Sequence, residues 1–410
     1  MTATRTDDRG RDPVFRFEYD PATIRFGSGC VDDLEDELER QGLERALVVC
    51  GSTVGTTPDV IDPVRSGLGD RLAGVFDETT PEKRLETAVD GLERAERADV
   101  DVLVSLGGGS SLDVAKVVST LAALDRPREA VAGAFAETGT IPVPDEGLLP
   151  IVAVPTTLAG ADLSQVAGVT AAPDSGLVDE EVSGGISGPA LMPVAAVYDP
   201  ELVATTPEPI LAGSAMNGFD KGLETLYASN ATPVTDATAS RGLRSLVDGL
   251  RAFGEGERDS STFETIVEGT VLVQYGISRP GETTLSIVHA FGHGLTRTYD
   301  VQQGAAHAVV VPHVLEYLLG AEGADVRPTV LADALGVGDA ADPDDAIVET
   351  VEDVRDALSL PDRLRDVDGP SPDEFPAVAE NILDDSFMAN APPGLDPSQE
   401  EIVGVLEDAW

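Results

Sequence analysis

A chain of 410 residues is too long for one ordinary hydrophobic core, so two domains are expected. Its 42% hydrophobic content is that of a globular protein, but 74 acidic against 27 basic residues leave a net charge of −47, which excludes nucleic acid and anionic membranes as partners at ordinary salt. The acid is spread along the whole chain while lysine shrinks to Lys83, Lys116 and Lys221, the composition expected of an extreme halophile, whose multimolar salt cuts the Debye length to roughly 2–3 Å and screens self-repulsion.

Met1 to Pro13 is charged and polar, without the apolar segment of a secretory signal. No apolar run approaches membrane-spanning length, and Cys30 and Cys50 are too few for a disulfide framework. A cytoplasmic protein is expected. Strand-like runs follow at Ala46–Cys50, Asp101–Leu106, Leu149–Val154 and Val194–Tyr198, with a helical stripe (Leu85, Val89, Leu92) inside Pro81–Ala98. Strands alternating with helices predict a doubly wound parallel sheet. Ala171–Gly188 and Asp366–Phe375 read as loops or insertions. Beyond about Pro207, Leu243–Phe253, Phe263–Tyr275, Thr284–Leu295 and His307–Leu319 carry helical spacing. The expected division is an α/β domain over residues 1–203 and an all-helical domain over 204–410.

Two stretches have the chemistry of phosphate binding. Gly107-Gly108-Gly109-Ser110-Ser111-Leu112-Asp113-Val114-Ala115-Lys116 follows a strand and opens a helix. Its glycines let a ligand approach the backbone, and the first-turn N–H groups suit a phosphate. A plain glycine-rich turn explains the composition equally well, and this is not the G-x-G-x-x-G pattern. Pro155 to Ser164 offers the hydroxyls of Thr156, Thr157 and Ser164 after another strand. All four histidines (His289, His293, His307 and His313) fall in one short segment, where imidazole chemistry concentrates.

These two motifs, with Arg25-Phe26-Gly27, Tyr198–Leu202, Met216–Ala228, His289–His293 and Tyr299–Tyr317, resemble the iron-containing alcohol dehydrogenase family over nearly the whole chain. Glu224–Ala228, Val310–His313 and the short Thr156-Thr157 loop resemble its maleylacetate reductase branch. The resemblance implies a dehydroquinate synthase-like architecture, with a nucleotide-binding α/β domain, a helical catalytic domain and a cleft between them. It also implies NAD(P)(H) as cofactor, a small alcohol or carbonyl as substrate, and a homo-oligomer. For the nucleotide it marks Gly51, Ser52, Gly107, Gly108, Gly109, Ser110, Asp113, Thr156, Thr157 and Ser164.

In metal-dependent members an Asp and a His four residues apart supply two ligands to iron or zinc, and two later histidines fourteen residues apart supply the rest. Aligned on Glu224, those positions are Asn217, Lys221, His289 and Gln303. Neutral amides are weak ligands and a charged lysine repels a cation, so loss of the metal is the expectation, with Lys221 stabilising the developing alkoxide in its place. A lysine at a helix edge is the plainer explanation of Lys221. His293 is expected as the proton relay, His307 as a neighbour of the cleft and His313 as packing. Two alternatives stand: a metal-dependent enzyme with a rearranged ligand set, including His289, His293 and His307, and a nucleotide-binding protein without catalysis. The end of the second strand, Val49–Thr53, has no carboxylate, so use of both NAD(H) and NADP(H) is expected.

Overall fold

The computed structural model describes residues 15–410, and the opening stretch Met1–Pro13 lies outside them. Three of the β-branched runs become strands with no face toward solvent: β2 (Ala46–Gly51), β4 (Val102–Gly107) and β5 (Ile151–Pro155). An apolar run without alternation is what a strand covered on both faces requires. With β1 (Thr23–Phe26), β3 (Leu72–Thr79) and β8 (Ala195–Tyr198) they form one sheet in the order β1-β8-β5-β4-β2-β3, parallel throughout. The helices of this unit are α1 (Leu34–Gln41), α2 (Ser52–Thr56), α3 (Pro58–Leu68), α4 (Leu85–Ala98), α5 (Gly109–Ala123), α6 (Arg128–Thr138) and α7 (Pro200–Ala204). Leu34, Leu38, Ile61, Val64 and Leu68 of α1 and α3 pack with Val48, Val104, Val152 and Val197 of the sheet.

Two local departures from the periodicity have physical causes. Helix α4 starts at Leu85 rather than Pro81, because Lys83 takes φ +53° and its N–H closes a turn onto Thr80 O at 3.1 Å. Ala171–Gly188, expected as a loop, is largely a hairpin: β6 (Val166–Ala171) pairs antiparallel with β7 (Val182–Ser187). Its glycines mark close approach of backbones, since a Cβ on Gly184 would collide with Gly139 O. The stretch from Asp366 to Phe375 is built of turns, as expected, until the helix Phe375–Leu383 begins.

The chain divides into two compact units. The sheet unit comprises Asp20–Pro207 and Ser278–Gly281; the helical unit comprises Glu208–Ile277, Glu282–Trp410 and the segment ending at Tyr19. The main crossing therefore falls at Pro207, four residues beyond the expected boundary. The helical unit holds α8 (Glu208–Tyr227), α9 (Pro233–Gly254), α10 (Ser260–Gln274), α11 (Ile287–Thr296), α12 (Gln303–Gly320), α13 (Pro328–Leu335), α14 (Pro343–Ala357), α15 (Phe375–Leu383) and α16 (Gln399–Asp408). Helices α9 and α10 touch through glycine: a Cβ on Gly242 would come 2.7 Å from Gly269 O. The same device brings α12 onto α8, where a Cβ on Gly304 would strike Gly213 O. That contact aims one face of each helix at the other, one to two turns before the buried histidine and carboxylates described next.

Candidate active site

Helix α8 is apolar where it is buried, except at Asp220, Glu224 and Thr225. Asp220 and Glu224 are four residues apart and share a face; both are fully buried. Facing them are His289 of α11 and His307 of α12, also buried. The imidazoles stand edge to face with centroids 4.7 Å apart. Gly292 of α11 makes room for the second ring, since a Cβ there would collide with His307 Nε2.

Asp220, His289 and His307 each offer a donor atom, all within 4.8 Å of one another. His289 Nδ1 lies 3.9 Å from Asp220 Oδ1, and His307 Nδ1 abuts Asp220 Oδ2. Yet both carboxylate oxygens of Asp220 and both ring nitrogens of His307 are buried without a hydrogen-bond partner. Each such group costs about 1–3 kcal/mol unless something satisfies it. One carboxylate and two imidazoles, converging in a buried space where Asp220 and His307 lack a well-formed hydrogen bond, are a donor set that suits a divalent first-row cation.

Glu224 is arranged differently. Its Oε2 lies 2.5 Å from His289 Nδ1, and Oε1 accepts the His289 N–H at 3.0 Å. Burial pushes the Glu224 carboxyl up to about 7, against backbone N–H groups and the His307 charge that hold it down. Burial likewise drives the His289 imidazole well below its ordinary value, with Asp220 opposing and His307, Lys221 and His293 reinforcing.

A second polar group sits one turn along α11. His293 Nδ1 lies 2.9 Å from Asp385 Oδ2, which also pairs with Arg297 Nη2 at 3.0 Å. Asp385 Oδ1 accepts the Phe387 N–H at 3.0 Å, and the Phe387 ring lies 5.0 Å from His293 and 5.9 Å from His289. Asn390 anchors this segment, its Nδ2 donating to Thr283 O and Leu285 O, both at 2.8 Å. Burial pushes the Asp385 carboxyl up, but the His293 bond, the Phe387 N–H and the Arg297 charge outweigh it and leave it below the usual range.

Of the four positions expected around a degenerate metal centre, the structure brings only His289 into the converging set. Asn217 lies one turn earlier on α8, Lys221 is half-buried beside Asp220 with its charge felt at His289, and Gln303 opens α12 one turn before His307. His313 lies further along α12, 3.4 Å from Glu316. Asp220, Asp385 and Phe387 escaped the sequence reading. The signal for the first was a second acid four residues before Glu224 in Met216–Ala228, a spacing that puts both on one helix face; Asp385 and Phe387 left none.

In the sheet unit the glycine block joins β4 to α5. Gly107 has φ +130°, and the first intrahelical N–H bond is Ser111 to Gly108 O, leaving the N–H groups of Gly109 and Ser110 ahead of the ladder. Thr157 lies against Gly108, where a Cβ would come 3.2 Å from Thr157 Cγ2, and Thr156 N–H bonds Gly107 O at 3.1 Å. Gly51 and Ser52 end the adjacent β2. Strand order reverses between β2 and β4, so these loops occupy the carboxyl-end crevice where open α/β sheets bind ligands. Asp113 and Ser164 serve inside the scaffold: Asp113 pairs with Lys83 (2.6 Å) and accepts the Gly168 N–H, while Ser164 O and Oγ accept from buried Lys116 at 2.8 and 2.9 Å. A carboxylate reaches the β2 end from the neighbouring strand, since Asp77 of β3 packs on Gly55, where a Cβ would come 2.5 Å from Asp77 Cβ.

Residues 21–200 match the family described as iron-containing alcohol dehydrogenase, and residues 211–410 match the Fe-containing alcohol dehydrogenase family, C-terminal. The chain belongs to the iron-containing alcohol dehydrogenase family. Its parallel sheet unit followed by helices is that family's dehydroquinate synthase-like architecture, and the protein is an NAD(P)-dependent oxidoreductase acting on CH–OH groups. It is 27% identical to the lactaldehyde reductase of Escherichia coli K12, over 95% of this chain and 98% of that protein. It is equally 27% identical to the maleylacetate reductase of Pseudomonas aeruginosa, over 97% of each. The crystal structure of a 1,3-propanediol oxidoreductase shares the fold with a TM-score of 0.82 at 24% identity, covering 97% of this chain and all of that one.

Proposed function

We propose that this oxidoreductase reduces a small aldehyde or keto acid, or oxidises the matching alcohol, at a divalent-cation centre held by Asp220, His289 and His307. The observation that carries the reading is the four unsatisfied, buried donor atoms of Asp220 and His307 beside His289. A bound iron or zinc ion would polarise the carbonyl and stabilise negative charge on its oxygen. A bound nicotinamide would supply the hydride to the carbonyl carbon, and the proton that completes the alcohol would come from the protein. His293 is the donor, because Asp385 holds its Nδ1 and so presents Nε2 as the transferring nitrogen. The Phe387 ring, lying on both imidazoles, keeps water from them.

The substrate class follows the relatives, which include a lactaldehyde reductase and maleylacetate reductases. Both nicotinamide cofactors are accepted, with Asp77 near the β2 turn favouring NAD(H) over the 2′-phosphorylated form. The protein works as a homo-oligomer in the cytoplasm of a halophile; among the described residues no helix is long and apolar enough to cross a membrane.

One observation favours a second reading, in which Lys221 supplies the positive charge without a metal: its ammonium follows Asp220 and already lowers the His289 imidazole. The deciding experiment is elemental analysis of protein purified in concentrated KCl, with activity assayed before and after chelation. About one divalent ion per chain and chelator-sensitive turnover are expected. Metal-free protein with full, chelator-resistant activity that falls by orders of magnitude in Lys221→Ala would establish the second reading instead. Absence of hydride transfer to any of a panel of aldehydes and keto acids would leave a nucleotide-binding protein without catalysis.

A further inference from the structure

The four ligand positions of metal-dependent members fall here at Asn217, Lys221, His289 and Gln303. Three of the four are therefore replaced, yet Asp220 and His307 converge on His289 from the same two helices. We infer that this chain has rebuilt its metal centre as an open three-ligand site, with Asp220 taking over between Asn217 and Lys221, His307 taking over one helical turn beyond Gln303, and Glu224 positioning His289 rather than coordinating. The inference rests on the metal reading above and concerns which residues do what within it.

The geometry divides the two carboxylates. Asp220 directs both oxygens into the space beside the imidazoles, one against His307 Nδ1 and the other 3.9 Å from His289 Nδ1. Both oxygens of Glu224 are engaged by His289, one at Nδ1 and one at the backbone N–H. With Glu224 Oε2 at His289 Nδ1, the nitrogen of that imidazole left for a cation is Nε2. That is the carboxylate–histidine–metal relay, in which the outer carboxylate fixes the tautomer and ring orientation. His307 meets the Asp220 carboxylate at Nδ1 and keeps Nε2 without a hydrogen-bond partner, and Gly292 lets its ring come against α11. Two imidazoles and one carboxylate leave more positions for solvent or substrate than four protein ligands do.

The test uses the full chain in concentrated KCl, stripped of metal and titrated with Co(II), whose visible absorption reports its ligands. Wild type should bind one Co(II). Glu224→Gln should bind one Co(II) with unchanged band positions and roughly 10- to 100-fold weaker affinity. His307→Asn and His307→Ala should lose binding or shift the bands, while Gln303→Ala should leave both spectrum and affinity unchanged; circular dichroism checks that each variant is folded. Bands displaced in Glu224→Gln as far as in the His307 variants would make Glu224 a ligand and overturn the inference. So would a His307 variant, folded, that binds as wild type does. A wild-type chain that takes up no Co(II) would instead remove the metal reading itself.

Discussion

Asp220 carries two carboxylate oxygens into a volume that excludes solvent, with the His307 and His289 imidazoles as their neighbours. Asp220→Asn keeps the shape and removes the charge, so it should abolish metal retention while leaving the fold intact; elemental analysis and circular dichroism together check this. Asp385 is the other buried carboxylate with a stated task. Asp385→Asn should cut kcat by about 10- to 100-fold with little change in KM, since the His293 tautomer rather than substrate binding is lost. Its pH consequence has a definite sign. A carboxyl held below its ordinary range stabilises the fold above the unfolded-state pKa and loses that contribution as pH falls through the folded value. Wild type should therefore lose more stability than Asp385→Asn on acidification below the ordinary carboxylate range, as measured by thermal melts. What could be read at this scale was uneven. The histidine cluster stood out by isolation, but the carboxylate that converges on it, Asp220, did not, because it lies between the family-matched positions Asn217 and Lys221.

Glycine decides how closely the helices of the catalytic unit pack, and this is where an element-level prediction belongs. Gly304→Ala drives a methyl into Gly213 O, so it should destabilise the unit by about 1–3 kcal/mol and weaken metal binding through displacement of His307. Gly320→Ala, at the far end of the same helix with nothing within 4 Å, should be neutral or slightly stabilising; denaturant titration of both variants separates close packing from helix propensity. The parallel strands were legible because β2, β4 and β5 read as unbroken apolar runs. The β6–β7 hairpin was not, since glycines and acids obscure its alternation and its pairing rests on contacts with Gly139 and Lys83 far away in the chain. The Asp385–Asn390 segment was hidden for a like reason: its partners on α11 are about ninety residues distant.

With 74 acidic residues against 27 basic ones, the molecule as a whole is held together against its own charge. The ion pairs it makes are mostly at the surface, such as Arg251 with Asp353 and Arg241 with Glu268, and pairs of that kind contribute roughly 0–1 kcal/mol each. Screening must therefore come from solution. The melting temperature should climb steeply as KCl is raised from dilute to multimolar, where the Debye length falls to about 3 Å or less, and activity lost in dilute buffer should follow unfolding rather than chemistry. Scanning calorimetry alongside assays at each salt concentration checks both.

The lysines carry a separate consequence. Lys116 has its ammonium sealed against Ser164 and Val166, and Lys83 is clasped by Asp113, so both amines act as rivets between α5 and the strand hairpin. Amine-directed reagents applied to the native molecule will find Lys116 out of reach. Graded labelling followed by peptide mapping would thus turn the chain's poverty in lysine into a gauge of when that hairpin lets go.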